Sequence, residues 1–325
     1  MNDYRRKPYK ALSNTTTRSK MSMCSRTKYI WMDGELVECG KAYIHVMTHA
    51  LHYGTAVFEG IRGYWDGNNL YIFRLRDHMI RMINSAKIVG LRLGYGLEEL
   101  IDATVKTVRV NEFQENIYIR PIAFAGEGSI SLDISKVPTR VSIAAIPFGH
   151  YLKPKGVKVK VVSWRRVPGF SMPVMAKASG IYLNSVIALS EAISSGYDEA
   201  VLLDWRGYIA EGSGENLFIV RRGVIYTPPV YASILEGITR DTVFRIAEDL
   251  GYKVEERDIT REELYVADEI FMVGTAAEVT PVIEVDGKTI GSGSPGPVTQ
   301  KISNYYKEIV LNKIPKYREW VTPVY

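Results

Sequence analysis

Apolar and polar positions change period several times along the chain, and each change marks an element. Tyr29 to Met32 and Glu35 to Val37 read as strands joined by the Asp33-Gly34 turn, a hairpin. The run His49 to Arg62 comes next, followed by Gly63 to Asn69 as a turn and Leu70 to Phe73 as a strand. From Leu75 to Lys87, the residues Leu75, Met79, Met82, Ile83 and Ala86 fall at helical spacing, with Arg76, Asp77 and Arg81 off that stripe. A second helix is predicted from about Leu97 to Val110. Asn116 to Phe124 alternates as a strand, with Ile117 and Ile119 on one face and Tyr118 and Arg120 on the other. Val141 to Ile146 is a further strand.

The Pro/Gly texture of Pro147 to Gly156 marks a linker. Beyond it, Val157 to Trp164 alternates like a half-buried strand, Ile181 to Ser195 reads as a helix and Asp198 to Asp204 as a strand that turns through Trp205 to Tyr208 into Ile209 to Phe218. Leu235 to Asp241 leads into a helix whose stripe is Val243, Ile246, Ala247 and Leu250. Thr260 to Glu263 is a capping box, Glu269 to Val273 a buried strand, and Val298 to Leu311 the closing helix. Four segments are expected: a basic, disordered leader over 1–28, an N-terminal α/β domain over 29–147, an interdomain loop over 148–156 and a C-terminal domain over 157–325. There is no internal repeat.

Charge changes the picture in one respect. The net +5 of the 325 residues suggests nucleic acid, but residues 1–28 hold eight basic groups against Asp3 alone, so the rest of the chain sits near −2. No basic patch on the folded body follows, and neither nucleic acid nor membrane is an expected partner. No apolar run approaches the ~18 residues of a membrane span. Cys24 and Cys39 have no metal-ligand spacing and form no disulfide framework, so a reducing cytoplasm is the default.

The candidate chemistry is scattered. Lys177, among Met175, Ala178 and Gly180, is poorly placed for hydration, which favours the neutral amine that attacks aldehydes; the commoner use of such a lysine is to lay its stem on an apolar surface. Glu211 stands at a glycine-flanked bend, where loop residues carry function. Gly237-Ile238-Thr239 at a helix start and Gly274 to Ala277 at a small-residue turn offer free N–H groups to an anion. Tyr118 and Arg120, side by side, suit a carboxylate. His45, His49 and His52 lack the company of a metal site, no metal is expected, His78 reads as structural, and the glycine pairs lack a dinucleotide-binding context. Pyridoxal 5′-phosphate needs the set that remains: an amine for its aldehyde, an acid partner for its ring nitrogen, and N–H donors with an arginine for its phosphate.

Six motifs, His49-Ala-Leu-His-Tyr-Gly-Thr-Ala-Val-Phe-Glu-Gly-Ile-Arg62, Tyr118-Ile-Arg120, Lys177-Ala-Ser-Gly, Glu211-Gly-Ser-Gly-Glu-Asn216, Gly237-Ile-Thr-Arg-Asp241 and Gly274-Thr-Ala-Ala-Glu278, resemble in order and spacing those of the branched-chain amino acid aminotransferases. The resemblance covers roughly residues 29 to 311. It implies an α+β fold, the class IV fold of PLP enzymes, with a small two-layer N-terminal domain and a larger C-terminal pseudo-barrel. It also implies roles: Lys177 as the catalytic lysine that bonds the cofactor and moves the proton, Glu211 on the pyridine nitrogen, Tyr182 on the 3′-oxygen, and Arg81 with Ile238, Thr239 and Thr275 on the phosphate. Composition alone does not pick out Arg81. Tyr118, Arg120, Arg62 and the turn from Thr275 through Ala276 to Ala277 would serve the substrate, Phe58 would wall its side-chain pocket, and Tyr53 would be lent by the other subunit, so a homodimer at least is implied. At Phe148 and over Gly126 to Leu132, both bordering that pocket, the chain departs from many bacterial members.

The activity so implied transfers the amino group of leucine, isoleucine or valine to 2-oxoglutarate. Alternatives on the same fold are a D-amino acid aminotransferase, an amine transaminase and an aminodeoxychorismate lyase; a binding protein on a degenerate scaffold is a fourth. The Tyr118-x-Arg120 pair with Gly274-Thr-Ala-Ala argues against the first three, and intact Lys177, Glu211 and Arg81 against the last.

Overall fold

The computed structural model describes residues 23–149, 151–153 and 155–325, so the disordered leader expected over 1–28 lies outside it as far as residue 22; from 23 to 28 the chain is ordered instead, with Thr27 buried and donating to Ala145 O at 2.8 Å. The first half of the chain builds β1 (Tyr29–Met32), β2 (Glu35–Glu38), α1 (His49–Tyr53), β3 (Ala56–Phe58), β4 (Ile61–Trp65), β5 (Leu70–Phe73), α2 (Leu75–Val89), α3 (Leu97–Asn111), β6 (Ile117–Ala125) and β7 (Thr139–Pro147). These strands form one antiparallel sheet in the order β5-β4-β6-β7-β1-β2, with β3 also on β6. The apolar stripes of α2 and α3 lie on this sheet: Leu75, Met79, Met82 and Leu100 are fully buried against Ile61, Ile117 and Ile119. β3 and most of β4 are buried on both faces, and Gly63 to Trp65, expected to open a turn, instead pair with β5 as part of β4.

The second half supplies β8 (Val157–Arg165), α4 (Tyr182–Ser194), β9 (Glu199–Leu203), β10 (Ile209–Gly212), β11 (Asn216–Arg221), β12 (Val224–Thr227), α5 (Ile238–Asp249), β13 (Val254–Glu256), α6 (Arg261–Tyr265), β14 (Glu269–Gly274), β15 (Glu278–Val285), β16 (Lys288–Thr289), α7 (Pro297–Val310) and β17 (Val321–Pro323). Its sheet runs β10-β9-β8-β15-β14-β11-β12-β13 and mixes parallel with antiparallel pairs. α4 packs on β8 and β9 through Ala188 and Ala192, while α5 and α7 cover Phe218 and Phe271. The whole is α+β, as the sequence implied. Its last strand, β17, leaves the second half and pairs with β5 of the first sheet.

One expectation is corrected. Cys24 and Cys39 are joined in a disulfide, their Cα atoms 5.5 Å apart. The cause is the hairpin: β1 and β2 pair from Tyr29–Glu38 inward, and Cys39 N–H donates to Lys28 O, so the segments flanking both outer ends come together. Among the described residues no helix is long and apolar enough to cross a membrane.

Candidate active site

Lys177 lies between β8 and α4, yet contacts from the first half of the chain fix its backbone. Its N–H donates to Ser85 Oγ on α2 at 3.0 Å, its carbonyl accepts from Phe58 N–H at 3.0 Å, and the neighbouring Ala178 bridges Val57 of β3. The two halves therefore meet at this lysine. Its Nζ donates to Tyr182 Oη at 2.7 Å and stands 5.2 Å from the ring centres of both Phe58 and Tyr182. Met175, expected beside it, is 58% exposed; the two aromatic rings, one from each half, enclose the amine instead. Long-range packing, which a local reading does not display, makes that environment.

Glu211 sits in β10 where the pairing with β9 shifts register. Its carboxyl is buried: Oε1 meets Arg166 Nε at 2.8 Å, and Oε2 accepts from Leu235 N–H and Asn216 Nδ2, both at 3.1 Å. Burial raises its pKa, and the Arg166 guanidinium, with Leu235 N–H and the charge of Lys177, opposes that rise without cancelling it. Asn216 also donates to Leu235 O at 2.9 Å. It can do so because Gly237 lies against it; a Cβ there would collide with Asn216 Oδ1. Gly237 is also the N-cap of α5, with no side chain to cap the helix, so the first N–H groups of α5 lack both capping and intrahelical partners.

Arg81, on α2, spends Nε and Nη2 on the two oxygens of Glu59 at 2.7 and 2.8 Å, and donates from Nη1 to Glu236 O, next to Gly237, at 3.0 Å. Glu59 is completely buried and also accepts from His78 Nδ1 at 2.7 Å. Burial alone would raise the Glu59 pKa, but Arg81 and His78 hold it far below the ordinary carboxylate range. Burial holds the His78 imidazole below its usual value, against the pull of Glu59.

One cavity is lined by Arg81, Lys177, Tyr182, Glu211, Ile238, Thr239 and Thr275 together. A second, of about 290 Å³, shares Lys177, Tyr182 and Thr275 and adds Phe58, Tyr118, Arg120 and Ala276. In it the Phe58 ring stands edge-on to Tyr182 at 4.8 Å, and Arg120 Nη2 donates to Tyr118 Oη at 2.9 Å. Gly60 leaves room for that hydroxyl, since a Cβ would strike it. Three proposed residues lie elsewhere. Arg62 is buried behind the Thr275 turn, donating to Ala276 O at 3.3 Å and to Gly149 O at 3.2 Å. Ala277 faces a different cavity. Tyr53, 44% exposed, donates to Ile130 O at 3.0 Å on the surface.

Sequence reasoning passed over Arg166, Glu59 and Glu215. Glu215 borders both cavities while buried, and Glu199 is buried with its Oε2 unpartnered among the described residues. Burial raises both carboxyl pKa values, and for Glu215 the charges of Glu199 and Glu211 add to the rise. The wall therefore carries carboxyl groups that hold their protons more tightly than usual. Glu215 was visible inside the Glu211 to Asn216 motif and Glu59 inside the His49 to Arg62 motif; Arg166 had no local signal. His49 is tied to Thr55 Oγ1 at 2.8 Å and Ser131 O at 2.9 Å, His52 to Val46 O at 3.0 Å, and no group among the described residues could hold a metal.

A family model for class IV amino-transferases matches residues 56–285. A branched-chain-amino-acid aminotransferase of Pseudomonas aeruginosa is 47% identical over 308 residues, 94% of this chain and 100% of that protein. Among solved structures, a branched-chain aminotransferase from the thermophilic archaeon Thermoproteus uzoniensis, with norvaline, superposes with a TM-score of 0.89 at 58% identity, covering 91% of this chain and 99% of that one. The T.th. branched-chain amino acid aminotransferase complexed with N-(5′-phosphopyridoxyl)-L-glutamate gives a TM-score of 0.89 at 47% identity, covering 92% and 99%.

Proposed function

Since the chain belongs to the class IV aminotransferases, among the branched-chain amino acid aminotransferases, we propose that it uses pyridoxal 5′-phosphate to move the amino group of leucine, isoleucine or valine to 2-oxoglutarate, giving the branched 2-oxo acid and L-glutamate. The observation that carries this reading is the convergence of seven residues from both halves of the chain on one cavity. The donor set fits the cofactor. Lys177 suits its aldehyde, Glu211 its ring nitrogen and Tyr182 its phenolic oxygen; Arg81, the start of α5 and Thr275 suit its phosphate. When bound, that group supplies an electron-withdrawing ring that weakens the Cα–H bond of an attached amino acid.

The protein's own groups do the rest. Lys177 Nζ would move a proton from the substrate's α carbon to the cofactor within one half of the exchange and in the opposite direction within the other, with Tyr182 Oη orienting the amine. Arg166 favours the ionised form of Glu211, so that this carboxylate holds a proton on the ring nitrogen. Tyr118, Arg120 and the N–H groups of Thr275 and Ala276 orient the substrate carboxylate, and Phe58 walls the apolar side chain. Burial makes Glu215 hold its proton more tightly, which lessens the repulsion a second carboxylate would meet in the same pocket. The ligands named for the two solved relatives, norvaline and a phosphopyridoxyl-glutamate, are of the two donor kinds that this pocket must accept.

A homodimer belongs to the proposal. Close to Tyr53 in the chain, Ile44, Val46, Met47 and Leu51 are exposed, and Ile44 and Leu51 line an apolar groove, a surface suited to a second copy that would receive Tyr53 at its own pocket. Replacing Lys177 by alanine is expected to abolish leucine-dependent glutamate formation at saturating cofactor while the circular dichroism spectrum stays; an unchanged turnover number would refute the reading. Of L-leucine, D-alanine and 1-phenylethylamine offered as donors to the wild type, L-leucine should be turned over fastest; a preference for either of the others would favour the corresponding alternative transaminase.

A further inference from the structure

We propose that Glu59 and His78 are positioning residues that hold Arg81 toward the phosphate end of the cavity, so that retention of the cofactor depends on them. The inference rests on the reading that this cavity takes a phosphorylated cofactor. A guanidinium carries five N–H donors in a fixed fork. Glu59 takes those of Nε and one of Nη2, and Glu236 O takes one of Nη1. One donor each on Nη1 and Nη2 is left, on a side chain that lines the cavity beside Ile238, Thr239 and Thr275.

An unanchored arginine must be ordered by its ligand, at the expense of affinity. Here the ordering is done beforehand by a carboxylate with no access to water. That carboxylate needs its own support. Its Oε2, besides Arg81, accepts from His78 Nδ1 and, at 3.3 Å, from Gly60 N–H. An ionised carboxylate only accepts, so Nδ1 of His78 carries the proton. His78 is itself buried on α2, one turn before Arg81 and on the same side of the helix. The residues flanking Glu59 serve the other cavity, Phe58 as a wall and Gly60 as the space for Tyr118. One short loop thus sets both the arginine and the substrate pocket.

The test compares His78→Leu, His78→Asn and Glu59→Gln with wild type, each prepared as holoenzyme and then stripped and titrated with PLP. The asparagine amide can replace the Nδ1–H donor; leucine cannot. The expected result is a PLP dissociation constant raised about tenfold in His78→Leu and about a hundredfold in Glu59→Gln, with His78→Asn within about threefold of wild type. Release of PLP on dilution should quicken in the same order, the phosphorus resonance of the bound cofactor should shift in the two weakened variants, and turnover should recover at saturating PLP. Two results would overturn the proposal: PLP binding in His78→Leu as tight as in wild type, or equal losses in the leucine and asparagine variants accompanied by the same fall in melting temperature with and without PLP. Should wild type itself take up no PLP, the cofactor reading falls and takes this one with it, an outcome distinct from either.

Discussion

A carboxyl buried as Glu211 is binds its proton too tightly to serve a cation unless a charge is set beside it. Arg166, 2.8 Å away and itself buried, supplies that charge and is in turn fixed by Ser233 O at 3.2 Å. The sign of its influence is testable. With Arg166→Met, burial acts on Glu211 with less opposition, its pKa rises further, and a smaller fraction is ionised at neutral pH. Activity toward leucine should fall about ten- to a hundredfold near pH 7, and the acid limb of kcat/KM against pH should move to higher pH, so that part of the loss is recovered in alkali. Parallel profiles in the two enzymes would contradict the role. Glu211 was readable from its glycine-flanked bend. Arg166 was not, because the pair forms only once β8, β9 and β10 lie side by side and bring the residue after β8 to the carboxylate.

At the scale of elements, what was legible in the sequence follows from periodicity. The stripe Leu75, Met79, Met82 and Ala86 is the buried face of α2, and Ile117 and Ile119 are the buried face of β6, because each element covers one core on one side. β3 and β4, buried on both faces, carry no such alternation, and Arg81, off the stripe, was marked only by resemblance. The start of α5 joins local and distant constraints. Gly237 is both the cap of that helix and the space beside Asn216, whose amide ties Glu211 to Leu235 O. A methyl group added there has no room. Gly237→Ala is therefore expected to push Asn216 from both partners, to lower stability by about 1–3 kcal/mol in a denaturant titration, and to weaken PLP binding more than substrate binding. A variant as stable as wild type with unchanged PLP affinity would show that the contact yields freely.

Over the whole molecule, the site exists only where the halves touch: Lys177 of the second is fixed by Ser85 and Phe58 of the first, and β17 returns to the first sheet as a further tie. The disulfide from Cys24 to Cys39 staples the entry to the first hairpin. A cytoplasmic setting, expected from cysteine usage, accords with such a bond chiefly where intracellular disulfides are common, as in hyperthermophiles. Tyr53, like Arg62 and Ala277, lines neither cavity, and Ile44, Val46, Met47 and Leu51, close to it in the chain, are exposed. If those side chains meet their equivalents in a second copy, a charge placed among them must be buried without a partner, at a cost that dissociates the pair. Leu51, 60% exposed and lining the apolar groove, is the place to put it. On the proposal of a homodimer, Leu51→Glu should sediment as a monomer at concentrations where wild type is a dimer, keep its secondary structure, and lose activity toward leucine at limiting substrate, because the proposed loan of Tyr53 is then lost. A wild-type protein that sediments as a fully active monomer would leave Tyr53 with no part in the reaction.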